Sequence, residues 1–262
     1  MHDDARLARL ARLDFVEFLR HLARTSGRRG RIEERDGLLC YATGTEFPVT
    51  CNGAVRLDPA LPAGETVERA DAWFGALGRG YTLHVRDLDE DAELVEVATA
   101  AGLLALGGSP AMVCRAALDP VDPTLDLRWV GGGGRIEDAL EISDRAYQSL
   151  GMPEGVILEM STDLAHLAEP HVHTVVAHLD GAPVATAQVL LSHGIAGVYY
   201  VGTLEAARGR GLAEAVTRAV TNRGFELGAE FASLQASTMG EAIYRRMGYE
   251  ELERYRSLVR FV

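Results

Sequence analysis

The 262 residues predict an α/β protein with a mixed sheet, arranged as two α/β units in tandem. Three observations carry this reading. Short β-branched and aromatic runs alternate with amphipathic stretches along the whole chain, the pattern that gives layered α/β sheets. Asp119-Pro120-Val121-Asp122-Pro123 breaks the alternation near the middle, where prolines hold the chain extended. Finally, Val198-Tyr199-Tyr200-Val201 is an apolar strand that runs through a glycine-rich turn into a helix. The boundary is placed at the prolines, giving units 1–121 and 122–262.

Taken in order, Leu7, Leu10, Phe15, Phe18, Leu19 and Leu22 recur at helical spacing between charged residues, so Asp4 to Thr25 is an amphipathic helix ended near Gly27. Short strands follow at Gly37 to Ala42, Phe47 to Thr50 and Ala54 to Leu57, the last after the Asn52-Gly53 turn signal. A helix from Gly64 to Leu77, a strand from Tyr81 to Arg86, a helix from Glu90 to Ala101 closed by Gly102, and a strand at Ala111 to Cys114 complete the first unit. The second opens with a strand at Leu125 to Val130 and helices at Ile136 to Leu150 and Met160 to Leu167, the latter with Ser161 or Thr162 as its cap. Strands His171 to Leu179 and Ala182 to Leu191 are joined at Asp180-Gly181, a strong hairpin signal. After Val198 to Val201 come a helix to about Leu227, a strand at Phe231 to Gln235, a helix from Met239 to Met247 and a last strand from Arg254 to Phe261.

A net charge of -12 argues against duplex nucleic acid or an anionic membrane as partner. The cysteines, Cys40, Cys51 and Cys114, are odd in number and not closely spaced, which suggests neither a disulfide framework nor a zinc site. The start, Met1-His2-Asp3-Asp4, is unlike a signal peptide and no apolar run approaches membrane-spanning length, so the cytoplasm is the expected location. The chain is expected to be a monomer or a homodimer.

Chemistry belongs where the strand of Val198 meets its helix. In Arg208-Gly209-Arg210-Gly211-Leu212-Ala213 the glycines let backbone approach a ligand at a helix start, where unpaired N–H groups and two arginines favour phosphate. Alone, the hexapeptide reads equally well as a solvated helix start. In its context after the strand and Thr203, it resembles the coenzyme A signature of the GNAT acetyltransferases, Arg/Gln-x-x-Gly-x-Gly/Ala. The resemblance implies that Gly202, Thr203 and Leu204 face the thioester and pantetheine arm of acetyl-CoA. It also implies that Arg208, Gly209, Arg210, Gly211, Leu212 and Ala213 hold the pyrophosphate. The Pro-Glu pair common before the arginine is here Glu205-Ala206.

Ala236 to Tyr249 resembles the second GNAT signature, a helix ending in Tyr-x-x-x-Gly-aromatic, here Tyr244 to Tyr249. By that resemblance Tyr244 protonates the departing thiolate, which a phenol within hydrogen-bond reach can do, and Ser237 stands where relatives carry a pantetheine-binding Asn; Ser237 reads equally as a helix cap. The element order from Leu125 to Val262 matches the GNAT fold. The acceptor is expected to be a primary amine of a small molecule or peptide, attacking directly in a ternary complex. Its base is not evident: the strand that often carries a glutamate in relatives has Tyr199 and Tyr200, leaving Glu159, His173 or an ordered water. Tyr147 would line the acceptor side.

Leu77 to Val85 aligns on Leu227 to Gln235, and helices closed by Gly102 and Gly248 follow each, placing Ala98 where the second unit has Tyr244. The first unit therefore reads as a degenerate GNAT-like copy without the basic glycine turn. Two rival functions are weaker. Gly131 to Gly134 departs from dinucleotide and nucleotide loops, since Ile136 stands where a third glycine is wanted and no Gly-Lys-Ser/Thr follows. A non-catalytic acyl-CoA sensor would not need Tyr244. His171 and His173 share a strand face without a third ligand in pattern, so no metal is expected.

Overall fold

Strands from both halves of the chain share one sheet in the computed structural model, which describes residues 2–262 and so leaves Met1 of the acidic start outside the described residues. The first half holds α1 (His2–Thr25), β1 (Arg31–Arg35), β2 (Leu38–Ala42), β3 (Asn52–Arg56), α2 (Ala63–Leu77), β4 (Tyr81–Arg86), α3 (Ala92–Ala100) and β5 (Leu104–Cys114). The second holds β6 (Asp126–Trp129), α4 (Ile136–Tyr147), α5 (Val156–Met160), β7 (Val172–Leu179), β8 (Ala182–Ser192), β9 (Ile195–Thr203), α6 (Leu212–Glu226), β10 (Ala232–Gln235), α7 (Glu241–Met247) and β11 (Glu250–Arg260).

The strand order is β1-β2-β3-β4-β11-β5-β10-β9-β8-β7-β6. Each half thus gives up its last strand: β5 pairs with β10, and β11 pairs with β4. The order reads the same from either side of the β11–β5 seam, with β6 as an extra edge strand. The registers repeat too. Gly53 and Ala54 lie opposite Thr82 and Leu83 in the parallel β3–β4 pair, and Ala196 and Gly197 lie opposite Ala232 and Ser233 in the parallel β9–β10 pair. Helix glycines Gly102 and Gly248 close α3 and α7 at φ 92° and 98°.

Both faces of the sheet are covered, so central strands are apolar on both sides rather than alternating with polar residues. In β2, Leu39 and Tyr41 join the core beneath α1, α4 and α5, while Leu38, Cys40 and Ala42 join the core beneath α2 and α3. On that second face of the other half, α6 and α7 cover Val189, Val198, Ala232 and Leu234. Helix α1 belongs to the first half yet packs on β9, where Phe18 stacks on Tyr199 with ring centroids 3.7 Å apart.

Three local expectations differ. Phe47 to Thr50 is a turn, not a strand: Thr50 is left-handed at φ 64°, and Asn52 Nδ2 donates to the Thr45 and Phe47 carbonyls, closing the loop. The helix expected at Met160 to Leu167 is instead α5, ending at Met160, with a separate 3-10 turn at His166–Ala168. Asp144 caps α5 by accepting from Gly155 N and Ile157 N, a signal eleven residues distant in sequence, and Ser161 follows the helix rather than starting it. Arg31–Arg35, charged at four of five positions, is an exposed edge strand, the composition edges use to avoid further pairing.

Candidate active site

β9 and β10 pair only at two positions and then diverge: β10 stays on β5 along all four of its residues, while β9 continues to Thr203 without it. The divergence coincides with a bulge: the β8–β9 register slips between Thr186 and Gln188, and Tyr200 is left-handed at φ 52°. An extra residue here bends β9 away. Tyr199 and Tyr200 consequently both join the core on the α1 and α4 face. Nothing in the residue type announces a left-handed tyrosine, so this feature escapes a reading of the sequence.

Between the diverging strands opens a cleft of about 460 Å³. One wall is Val201, Gly202 and Thr203 of β9 and the turn into α6, with Arg208, Gly209, Gly211, Leu212 and Ala213; the other is Ser237, Gly240, Ile243, Tyr244 and Arg246 around α7. Ala146, Tyr147 and Leu150 at the end of α4 close the inner side. Ten of the fourteen residues singled out from the sequence as acting on acetyl-CoA or its acceptor are therefore brought together. Of the others, Leu204 packs against the core and its N–H donates to Val184 O, Arg210 is exposed beside the turn, and Glu159 and His173 lie elsewhere.

Gly209 and Gly211 are left-handed, at φ 76° and 73°, and Gly211 is the N-cap of α6. A Cβ on either would meet no protein atom within 4 Å. Glycine is needed here for its conformation, and the space beside it belongs to the cleft. A helix start in such a turn, next to Arg208, suits an anion. Arg208 Nη2 donates to Ser149 Oγ at 2.9 Å, and its Nε lies 3.4 Å from Thr203 O. Thr203 Oγ1 is buried without a hydrogen-bond partner among the described residues, a donor left for a polar ligand group. These residues fit an extended ligand with a diphosphate at one end and amides along its length.

Tyr244 is buried, and burial pushes its phenol up to about 12, which keeps it protonated and able to donate. Tyr147, on the facing wall, is raised by burial and then by Tyr244 and Tyr200. Ser237 both lines the cleft and caps the turn before α7, its Oγ accepting from Gly240 N at 3.2 Å. Arg246, not singled out in the sequence, is a second guanidinium on the wall opposite Arg208.

The base candidates stand apart. Glu159 is exposed on α5; its carbonyl accepts from Arg29 Nη2, and after burial its charge is what raises the Cys51 thiol, so it faces the first half. His173, on β7 opposite Val189 of β8, does not line the cleft, and burial, then Arg223, lowers its pKa. Among the described residues no group of three or more His, Cys, Asp or Glu is placed to hold a metal ion, and no helix is long and apolar enough to cross a membrane. Cys40, Cys51 and Cys114 are buried and free.

The corresponding place in the first half is closed. Arg56, at the end of β3, donates to Asp91 at 2.5 Å and to Leu61 O in the turn before α2, and Arg86 pairs with Asp91 at 2.9 Å. α2 begins after Pro62 rather than a glycine turn, and the cavity left between these groups is about 10 Å³.

Residues 136–249 match the model of the Acetyltransferase (GNAT) family. Residues 136–249 are thus a GNAT acetyltransferase domain. No curated protein sequence matches the chain. Among solved structures, a GCN5-related N-acetyltransferase from Kribbella flavida is similar at TM-score 0.70 and 23% identity, over 95% of this chain and 94% of that one. A GCN5-related N-acetyltransferase from Sphaerobacter thermophilus is similar at TM-score 0.65 and 15% identity, over 86% and 76%. A tandem GNAT protein from the clavulanic acid biosynthesis pathway is similar at TM-score 0.60 and 14% identity, over 89% and 84%. At these identities the likeness is one of fold, and it extends beyond the GNAT domain to most of the chain. GNAT acetyltransferases use acetyl-CoA, and the cleft between β9 and α7 lies within the matched residues.

Proposed function

We propose that this chain transfers an acetyl group from acetyl-CoA to a primary amine of a small molecule or peptide, by direct attack in a ternary complex. Residues 122–262 would carry the chemistry and residues 1–121 would be a degenerate copy that buttresses it. One observation carries the reading: the left-handed glycine turn at the start of α6 and the buried phenol of Tyr244 line the same cleft.

In this reading acetyl-CoA supplies the activated acyl group. The backbone N–H groups from Gly209 to Ala213, with Arg208, hold the diphosphate; Thr203 and Ser237 orient the pantetheine arm. The amine nitrogen forms a bond to the acyl carbon as the carbon–sulfur bond breaks, and Tyr244 gives its proton to the departing sulfur. Burial that keeps Tyr244 protonated also makes an unprotonated thiolate unfavourable beside it, which favours that transfer. The proton released by the amine leaves through water; Glu159, outside the cleft walls, can receive it only by that route. Holding amine and thioester in contact can itself supply roughly 7 to 11 kcal/mol. A cationic amine suits a protein of net charge -12.

The test is calorimetric titration with acetyl-CoA, followed by thiol release assayed against polyamines, amino acids, amino sugars and short peptides. Binding with amine-dependent thiol release supports the enzyme. Binding without release from any amine supports a non-catalytic acyl-CoA sensor, and no binding removes both.

A further inference from the structure

We infer that the acceptor is a weakly basic amine, such as the α-amino end of a peptide, that reaches the thioester already uncharged; this rests on the transfer proposed above. The ionisable groups of the cleft point to it. Among the described residues those lining it are Tyr147 from α4, Arg208 and Glu214 from the glycine turn and the first turn of α6, and Tyr244 and Arg246 from α7. Glu214, the one carboxylate in this set, is tied to Arg218 at 2.7 Å. Asp144, one turn before Tyr147, accepts from Gly155 N and Ile157 N and does not line the cleft. Glu241, at the start of α7, is held by Arg245 at 2.8 Å, and Glu205 is exposed beyond the end of β9. Among the described residues no histidine lines the cleft.

What surrounds the reacting end is phenol. Tyr147 and Tyr244 line it from facing walls, and Tyr200, its hydroxyl buried without a hydrogen-bond partner among the described residues, stacks on Tyr147 with ring centroids 6.5 Å apart and planes 5° from parallel. Burial raises all three, Tyr244 to about 12, so each stays a neutral acid near pH 7. The desolvation that disfavours a phenolate disfavours an ammonium ion likewise, and no free carboxylate is placed to compensate. The negative charge of the whole chain draws a cation to the protein, but the ammonium proton stays in water when the amine is seated.

A neutral amine needs no further base. As nitrogen bonds to the acyl carbon and the carbon–sulfur bond breaks, Tyr244 gives its proton to sulfur, and the proton that nitrogen sheds returns through water to the Tyr244 phenolate. One proton has moved from nitrogen to sulfur and the phenol is regenerated. An ammonium ion carries one proton more, which no group on the cleft walls is placed to take. At pH 7 about one α-amino group in ten is uncharged, against about one lysine side chain in 2,500. The greater nucleophilicity of the more basic amine offsets part of that difference, which leaves a preference of at least about tenfold.

The experiment measures kcat/KM for acetyl-CoA-dependent thiol release from about pH 6 to about pH 11. The acceptors are two peptides of one sequence, one with a free N-terminus and an acetylated lysine, the other with an acetylated N-terminus and a free lysine, and every amine of the panel above that releases thiol. The peptide with the free N-terminus is expected to be the better acceptor at pH 7 by at least about tenfold. For each acceptor kcat/KM is expected to rise with unit slope and level at that amine's own pKa, about 8 for the α-amine and about 10.4 for lysine. An equal or faster reaction of lysine or a polyamine at pH 7, or one inflection below about pH 7 shared by all acceptors, would reveal a base on the protein and overturn the inference while leaving acetyl transfer in place. Binding of acetyl-CoA with no thiol release from any amine removes the transfer and the inference with it.

Discussion

Alanine at Gly211 separates the conformational role of the turn from its contact with a ligand. At φ 73° an alanine bears left-handed strain, roughly 1–2 kcal/mol, and no steric penalty, since its Cβ would meet nothing within 4 Å. Gly78, which ends α2 at φ 65°, is also open around its Cβ and lies outside the cleft, so Gly78→Ala bears the same strain. Both variants should lose about 2–8 °C in Tm, at about 2–4 °C per kcal/mol for a chain of this size. Only Gly211→Ala also places a methyl group in the space assigned to the diphosphate and disturbs the N–H groups that face it. Losing one such charge-assisted hydrogen bond, roughly 1.5–3 kcal/mol, weakens acetyl-CoA by at least about tenfold. Calorimetric Tm without ligand and the dissociation constant of acetyl-CoA, measured on both variants, make the comparison. Equal effects on affinity would refute the assignment of the turn.

Tyr244→Phe should lower kcat by about 10²-fold while leaving the dissociation constant of acetyl-CoA within about threefold; an unchanged kcat would assign proton donation elsewhere. Because burial holds Tyr244 near 12, no alkaline fall in rate attributable to it should occur below about pH 11. Asp91→Ala leaves Arg56 buried without its carboxylate, while Arg86 keeps Glu90, and should cost about 3–5 kcal/mol in urea unfolding with acetyl-CoA affinity unaltered. Asp14 and His21 should tilt stability in opposite senses with pH. Burial beneath α1 raises the Asp14 carboxyl to about 7, although Ser192, Tyr199 and Ser233 donate to it, so the unfolded chain releases this proton first and stability falls as pH rises from about 4 to 7. Burial, then His166, His171 and Arg24, lowers His21 to about 3, so the unfolded chain binds this proton first and stability falls as pH drops below about 6.5. Between pH 4.5 and 6.5, Asp14→Asn should make stability rise more steeply with pH and His21→Gln should make it fall, each by up to about 1.4 kcal/mol per pH unit. Unfolding curves at three pH values with unchanged slopes in both variants would contradict this.

The residues that line the cleft through local geometry were legible in the sequence. Gly209, Gly211, Thr203, Ser237 and Tyr244 are named by short patterns whose spacing is set by one strand end and two helix starts, and those elements form where apolar periodicity places them. What was not legible depends on distant contacts. The exchange of β5 and β11 follows from pairing between residues more than a hundred positions apart, and Gly107, Gly108 and Pro110 disguise the first part of β5 as a loop. The bulge at Tyr200 has no residue signature. Helix α5 starts where it does because Asp144, on another helix, accepts its first N–H groups. Arg246 was missed because a basic residue near a helix C-terminus has an ordinary explanation in the helix dipole; only the cleft gives it another.

A crystal structure of the protein with acetyl-CoA tests the central claim most directly. The account predicts diphosphate oxygens about 3 Å from the amide nitrogens between Gly209 and Ala213, with the sulfur within hydrogen-bond reach of the Tyr244 hydroxyl. Coenzyme bound in the first half beside Arg56, or seated with its sulfur away from Tyr244, would contradict it.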